Sequence, residues 1–136
     1  MRINRGPGLM EEDLDAAVYP GLAGVVFPKA EAVDEVEILT AAVDELEKER
    51  GLRPGEIVLD LMIESPKGVL ALEELSAGRR VRSVTLGPED YCRELGVEPS
   101  ADGLELLYPL ARIVTVSKAR GLQPMGLLGT IGEYRN

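Results

Sequence analysis

The amino-acid sequence alternates short apolar runs with amphipathic segments, and glycine or proline stands at most boundaries between them. Short runs rich in β-branched residues are typical of buried parallel strands, and the amphipathic segments are typical of helices. This alternation favours an α/β fold with a parallel sheet and helices packed on it. We expect about five strand–helix units, with strands at residues 1–4, 24–27, 57–63, 82–86 and 124–128 and helices at residues 11–18, 31–50, 68–75, 88–95 and 104–120.

The helix expected at residues 31–50 has the clearest pattern. Its apolar side chains recur at helical spacing, at Val36, Leu39, Val43 and Leu46. We therefore expect an amphipathic helix that packs this apolar stripe on the sheet and turns its Asp and Glu side chains to the other face. Gly51, just past the expected end, is typical of a helix C-terminus.

The residue types that are missing narrow the possible chemistry. The chain has 136 residues, no histidine and one cysteine, Cys92. This composition excludes a Ser-His-Asp or Cys-His catalytic site, a histidine-ligated zinc, an internal disulfide and a multi-thiolate metal site within the chain. We expect Cys92 to be a small buried residue. Any chemistry must then rest on carboxylates, Lys or Arg side chains and backbone amides.

The charge of the chain limits its partners. It carries 15 Lys and Arg against 24 Asp and Glu, a formal net charge of −9. Such an acidic surface repels phosphate backbones and anionic membranes, so we expect no nucleic-acid and no membrane partner. No apolar run approaches the roughly 18 residues of a membrane span, and the first residues do not resemble a signal peptide. With one cysteine, the sequence predicts a cytoplasmic domain, or a piece of one, over residues 1–136.

Acidic residues follow two neighbouring expected strands. Because side chains alternate along a strand, Asp60 and Glu64 share one face, and a buried carboxylate needs a cation, a donor or access to water. One strand later, Gly87 precedes Asp90 in the first turn of a helix. Functional groups of parallel strand–helix units gather at the carboxyl ends of the strands. Glu64 and Asp90 are therefore expected side by side, where two carboxylates with open positions suit Mg²⁺.

These residues also have purely structural explanations. Glu64 would cap the following helix or emerge into solvent, and Asp90 would favour the helix macrodipole as an acid in the first turn. Arg2 is expected near the same rim, where it would bind a substrate carboxylate or stabilise an enolate; otherwise it is a surface arginine at a frayed terminus. Lys29 closes a strand, and we expect it to pair with Glu31 or Glu64.

Four short motifs occur in the order of a known family. They are residues 2–4 (RIN), 26–31 (VFPKAE), 62–68 (MIESPKG) and 87–96 (GPEDYCRELG). In this order they resemble the citrate lyase beta subunit and malyl-CoA lyase family, within the HpcH/HpaI aldolase and citrate lyase superfamily. The resemblance covers nearly the whole chain, and the step from Glu64 to Asp90 has the length of one strand–helix unit.

The resemblance implies a (β/α)₈ (TIM) barrel that binds Mg²⁺. It also implies a lyase that makes or breaks a carbon–carbon bond between a CoA-thioester enolate and an oxo-acid, as in citryl-CoA or malyl-CoA. By motif, Glu64 and Asp90 correspond to the protein ligands of Mg²⁺, and Glu64 also lies near the substrate as a catalytic residue. Arg2 corresponds to the catalytic arginine that contacts the substrate oxygens and stabilises the enolate.

The resemblance also implies a partial barrel. A complete (β/α)₈ barrel needs about 250 residues, so the chain is expected to hold strands three to seven of the family barrel as a single fragment. Alone, it is expected to be weakly active or inactive, and open sheet edges predict a homo-oligomer in the full-length parent. Two alternatives remain: a non-catalytic α/β interaction domain, and a small open domain of flavodoxin-like strand order with an anion at a helix N-terminus.

Overall fold

The computed structural model describes residues 1–6 and 8–126. Its helices are α1 (Leu9–Ala17), α2 (Val33–Glu49), α3 (Pro66–Leu70), α4 (Leu72–Leu75), α5 (Pro88–Leu95) and α6 (Leu104–Ala119). Its strands are β1 (Gly24–Phe27), β2 (Val58–Ile63), β3 (Val81–Leu86) and β4 (Gln123–Met125). The expected alternation of strands and helices is confirmed. No helix among the described residues combines the length and the apolar character needed to cross a membrane.

The four strands form one parallel sheet in the order β1-β2-β3-β4. The first residues of the chain lie beside β1, where Ile3 N–H donates to the Val26 carbonyl at 3.2 Å and Val26 N–H donates to the Met1 carbonyl at 2.7 Å. Each described strand thus pairs with its neighbour in the chain. A flavodoxin-like order would bring non-consecutive strands together, so that alternative is wrong, and the observed order is that of a barrel segment.

One face of the sheet is covered by the helices. The strand side chains that point to the helices are almost fully buried: Val25, Phe27, Leu59, Leu61, Ile63, Val84 and Leu86. Side chains of the opposite face are half-buried: Val26, Val58, Asp60, Met62 and Thr85. The hydrophobic core therefore lies between the sheet and the helices, as on the outer side of a barrel wall.

A bulge interrupts the pairing of β2 with β3. Leu59 pairs with Val81 but the next residue, Asp60, pairs with Ser83, so Arg82 is the extra residue of β3. Both Arg82 and the Ser83 hydroxyl donate to the Asp60 carboxylate, at 2.9 Å and 2.6 Å for the shortest contact of each. The Asp60 carboxylate on the open face of the sheet thus has its own cation and its own hydroxyl donor.

Three elements differ from the expectation. The segment at residues 68–75 forms two helices, α3 and α4, and α3 begins earlier than expected, at Pro66, where the Ser65 side chain accepts from Gly68 N–H. The first strand is reduced to a single bridge between Arg2 and Val26. The last strand, expected at residues 124–128, is β4; residues 127 and 128 lie outside the described part of the chain. Cys92 is buried, as expected.

One residue of α2 contradicts the expected amphipathic pattern. The apolar stripe faces the core through Val36, Leu39 and Val43, but Glu47 is also buried, with 1% of its surface exposed. Glu47 follows Val43 by one helical turn and so lies on the inward face. It is bound there by Arg80, which precedes β3, and this long-range partner is what makes burial of the acid possible.

Candidate functional site

The predicted site residues lie around one cavity of about 370 Å³ at the carboxyl ends of the strands. Glu64 follows β2, Asp90 lies in the first turn of α5 after β3, and Arg2 lies in the segment beside β1. The remaining lining residues are Arg5, Pro28 and Lys29. Arg2, Glu64 and Asp90 are far apart in the sequence, and the parallel sheet brings them to the same rim.

Glu64 is a buried acid with little compensation for its charge. Only 7% of its surface is exposed, and its Oε2 accepts one hydrogen bond, from Lys29 N–H at 2.7 Å. No Lys or Arg of the described residues lies within ion-pair distance of it. Burial raises the pKa of Glu64 above its ordinary value, and the negative charge of Asp90 adds to this, against the Lys29 N–H and the charge of Arg2. A cation bound here would relieve the cost of the buried charge.

Gly87 leaves the room that the Glu64 side chain occupies. A Cβ at this position would lie 2.6 Å from Glu64 Cγ and 2.7 Å from Oε1, far inside contact distance. Its N–H donates to the Ile63 carbonyl at 2.8 Å, which fixes the end of β3 against the end of β2. The residue that caps α3 is Ser65, so the alternative that Glu64 is a helix cap is wrong.

Lys29 meets different partners from those expected from the sequence. Its Nζ pairs with Glu94 of α5, and it makes no ion pair with Glu31 or Glu64. Its φ of 49° is in the left-handed region, rare for a lysine, and this turn directs its N–H to Glu64. The backbone of Lys29, and not its charge, therefore contacts the acid.

Two arginines line the cavity. Arg2 is exposed and makes no ion pair with any described residue, although its positive charge acts on Glu64. Arg5 is not among the site residues predicted from the sequence. It donates to the Lys29 carbonyl, pairs with Glu35 and lies over the Phe27 ring at 5.7 Å from its centroid. The signal that could have found it is its position three residues after Arg2, where the chain leaves the sheet at the same rim.

The donor set of this cavity fits Mg²⁺. Mg²⁺ takes oxygen ligands, keeps several waters and is usually held by one or two carboxylates together with substrate oxygens. Glu64 and Asp90 supply two carboxylates, and the Asp90 carboxylate forms an ion pair with Arg93 of the same helix. Over residues 1–6 and 8–126, no group of three His, Cys, Asp or Glu side chains could enclose a metal ion. As the two carboxylate ligands, Glu64 and Asp90 would leave coordination positions open for water and substrate.

Known proteins are similar to this chain in sequence and in fold. The family model described as HpcH/HpaI aldolase/citrate lyase matches residues 1–131. The citrate lyase subunit beta of Haemophilus influenzae is 35% identical over 112 residues, which are 82% of this chain and 38% of the relative. The L-malyl-CoA/beta-methylmalyl-CoA lyase of Haloarcula marismortui is 31% identical over 86 residues, 61% of this chain and 25% of the relative. The chain thus spans less than two fifths of the length of these relatives.

A solved structure agrees with the partial barrel. The citrate lyase beta subunit of M. tuberculosis, complexed with oxaloacetate and magnesium, superposes with a TM-score of 0.71 at 23% identity. The match covers 92% of this chain and 52% of that chain. The α/β fold is therefore that of one part of a barrel protein of this type. With the family model matching nearly its whole length, the chain belongs to the HpcH/HpaI aldolase/citrate lyase family.

Proposed function

We propose that this chain carries the metal-binding and substrate-binding residues of a Mg²⁺-dependent carbon–carbon lyase. Its substrate class is the CoA thioester of a hydroxy acid, such as citryl-CoA or malyl-CoA, and its products are an acyl-CoA and an oxo-acid. Family membership supports the class of reaction, and one similar protein is named as a lyase of the CoA thioesters L-malyl-CoA and beta-methylmalyl-CoA. Because the chain spans only part of its relatives, the proposal concerns the residues it contributes.

One observation carries the proposal. Glu64 is buried with no ion-pair partner among residues 1–6 and 8–126, beside the negative Asp90, at the rim where barrel enzymes hold their active sites. Such an arrangement costs stability and persists in a protein only where something offsets it. The fold has such compensation elsewhere: Asp60, on the same face of β2, has Arg82 and Ser83. Glu64 and Asp90 are accordingly the residues that would hold Mg²⁺.

Cleavage of the carbon–carbon bond produces an enolate, whose negative charge the site must stabilise. When the bond between the hydroxyl-bearing carbon and the thioester α-carbon breaks, the hydroxyl loses a proton and its carbon becomes the carbonyl of the oxo-acid. The electron pair passes to the α-carbon, giving an enolate that takes up a proton to form the acyl-CoA. Bound Mg²⁺ would supply Lewis-acid polarisation of the oxo-acid oxygens.

Arg2 is suited to bind the oxygens of the substrate. Its guanidinium lines the same cavity, is exposed, and makes no ion pair among the described residues, so its donors are available to a ligand. A guanidinium binds a carboxylate or an enolate oxygen through two parallel N–H groups. Arg2 would thereby hold the substrate oxygens and stabilise the enolate, while Glu64 would contact both the metal and the substrate.

Calorimetric titration of the 136-residue chain with MgCl₂, with and without oxaloacetate, tests the proposal. We expect Mg²⁺ binding that Glu64→Gln or Asp90→Asn weakens at least tenfold, roughly the loss of one charged ligand. Arg2→Met is expected not to weaken binding of Mg²⁺ alone, because it removes a positive charge from the cavity, and to weaken binding of oxaloacetate to the Mg²⁺-loaded chain. Turnover of malyl-CoA and citryl-CoA, followed as acyl-CoA release, then identifies the substrate.

Asp60→Asn is the matched control, since Asp60 shares the face of β2 with Glu64 but has its own cation. We expect it to bind Mg²⁺ as the wild type does. Unchanged Mg²⁺ affinity in both Glu64→Gln and Asp90→Asn would overturn the metal site. A wild-type chain that binds neither Mg²⁺ nor oxaloacetate would favour a non-catalytic interaction domain instead. The homo-oligomer and the cytoplasmic location stay predictions.

A further inference from the structure

Arg5, which lines the site cavity, bridges the end of β1 and helix α2. Its guanidinium donates through Nη1 to the Lys29 carbonyl and through Nη2 to a carboxylate oxygen of Glu35, in the first turn of α2. Its guanidinium carbon lies 5.7 Å from the centroid of the Phe27 ring, within the range of a cation–π contact. Three separate contacts therefore hold one side chain across the turn between β1 and α2.

That turn contains an unusual backbone conformation. Lys29 has a φ of 49°, a region in which a residue with a side chain costs free energy and persists when its surroundings hold it there. The peptide group that follows is held on both sides, since the Lys29 carbonyl accepts from Arg5 and Ala30 N–H donates to the Met62 carbonyl at 3.1 Å. The preceding peptide presents Lys29 N–H to Glu64 Oε2 at 2.7 Å. This is the only hydrogen bond to the Glu64 carboxylate from the described backbone.

We infer that Arg5 is a positioning residue for the metal site: by holding the left-handed Lys29 turn, it places the N–H that orients the Glu64 carboxylate. Hydrogen bonds that orient a metal ligand restrict its rotation and keep one oxygen directed at the ion. Here the N–H occupies Oε2 of Glu64, which leaves Oε1 beside Gly87 for a ligand. This inference rests on the proposed function only in taking the ligand to be Mg²⁺.

A positioning role and a purely electrostatic role of Arg5 predict opposite signs. Arg5 is positive and close to the proposed cation site, so its charge alone opposes Mg²⁺ binding. If charge were its only effect, replacement by a neutral side chain would strengthen Mg²⁺ binding. If Arg5 positions Glu64, replacement weakens binding, because the carboxylate loses its orientation. Changes of outer partners of metal ligands typically cost 10- to 100-fold in affinity, and we expect about tenfold here.

The chain contains a matched control. Arg50 makes the same three kinds of contact away from the cavity: it donates to the Val18 carbonyl at 2.6 Å, pairs with Asp15 and lies 4.4 Å from the centroid of the Tyr19 ring. Arg50→Met removes a backbone carbonyl bond, an ion pair and a cation–π contact, as Arg5→Met does. A general loss of stability would affect both variants, whereas loss of Glu64 orientation would affect Arg5→Met alone.

The experiment combines amide hydrogen exchange with Mg²⁺ titration of the full chain. In Arg5→Met we expect exchange of the Lys29 amide to accelerate at least tenfold and Mg²⁺ affinity to fall about tenfold. Both quantities are expected to stay within twofold of the wild type in Arg50→Met. Arg5→Lys keeps the charge and one donor, so it should fold and give smaller changes of the same sign.

The outcomes separate this inference from the proposed function. If the wild type binds no Mg²⁺, the metal site fails, while exchange of the Lys29 amide still tests whether Arg5 holds the turn. If the wild type binds Mg²⁺ and the Arg5 variants bind it equally or more tightly, the positioning role is overturned. If Arg5→Met does not fold, Arg5→Lys provides the test. Unchanged exchange of the Lys29 amide together with unchanged Mg²⁺ affinity in Arg5→Lys would overturn the positioning role.

Discussion

Glu47 and Glu64 are two glutamates buried at opposite ends of the same sheet, with 1% and 7% of their surfaces exposed. Glu47 meets the Arg80 guanidinium and the N–H groups of Gly55 and Ile57, each of these two at 2.8 Å. Glu64 meets a single N–H and no cation of the described residues. The first acid ties elements of the fold together at the amino ends of the strands. The second lies at the carboxyl ends of the strands, where we propose that it binds Mg²⁺.

The pKa values of the two carboxyls move in opposite directions. Burial alone would raise the pKa of Glu47, but the hydrogen bonds from Arg80, Ile57 and Gly55 outweigh it and lower the pKa to about 2. At Glu64 burial is the largest effect and the pKa is raised. Burial of an acid therefore does not by itself indicate a functional site, and the proposal for Glu64 depends on the lack of a compensating cation among the described residues.

Arg80→Met has the largest expected effect, because it leaves the charge of Glu47 buried without a cation. Removing one partner of a buried ion pair typically costs about 3 to 5 kcal/mol of unfolding free energy, measured here by urea unfolding. The neighbouring Arg79 also pairs with Asp44 but is largely exposed. Arg79→Met should therefore change stability by no more than about 0.5 kcal/mol. Equal losses in the two variants would contradict the importance of the buried pair.

The contribution of Glu47 should depend on pH. With a folded pKa of about 2 against an ordinary 4.5, its contribution is complete above pH 4.5 and is lost as pH falls through 2. The shift corresponds to about 3 kcal/mol. We expect the difference in unfolding free energy between wild type and Glu47→Gln to be constant from pH 7 to 5 and to shrink at lower pH. A difference independent of pH would show that Glu47 acts only by its shape.

Gly87→Ala tests the room left for the Glu64 side chain. The added Cβ would overlap Glu64 at 2.6 Å, so either the side chain or the end of β3 must move, at a cost of about 1 to 3 kcal/mol. Mg²⁺ affinity should fall with it. A Cβ at Gly126 would meet nothing within 4 Å, so Gly126→Ala should change neither quantity. Wild-type stability and affinity in Gly87→Ala would contradict the close approach.

Glu64→Gln has the smallest expected effect on stability and the opposite sign to Glu47→Gln. Because its pKa is raised, ionised Glu64 costs the fold free energy at neutral pH. A neutral side chain of the same shape keeps an acceptor for Lys29 N–H and should stabilise the chain by about 1 kcal/mol or less without Mg²⁺. Added Mg²⁺ should stabilise the wild type and not the variant. Thermal melts with MgCl₂ or with EDTA measure both effects.

The fold was largely predictable from sequence because its signals are local. Apolar spacing within α2 and the β-branched run of β1 each reflect a period set by the backbone of the element itself. The meeting of Glu64 and Asp90 at one rim was also predictable, since parallel strands joined by helices must all end at the same side. The motifs at residues 62–68 and 87–96 pointed to the same family that the comparisons show.

The partners of individual charges were not predictable. Lys29 was expected to pair with Glu31 or Glu64, but the left-handed turn at Lys29 carries its side chain to Glu94. Glu47 was assigned to the polar face of a helix, and only the approach of Arg80 makes its burial tolerable. Periodicity describes which face a residue occupies on its own element. It contains no information about which cation a distant segment brings to that face.

The sequence predicts the parallel α/β architecture, the family and the gathering of Arg2, Glu64 and Asp90 at one rim. Those properties follow from residue periods, motifs and the geometry of strand–helix units. The folded structure is needed to show which buried acid has a cation, that Lys29 N–H donates to the Glu64 carboxylate, and that Arg5 bridges the turn. The physical reason is that these contacts join segments distant in sequence, and their distances depend on turns and a bulge that no local pattern specifies.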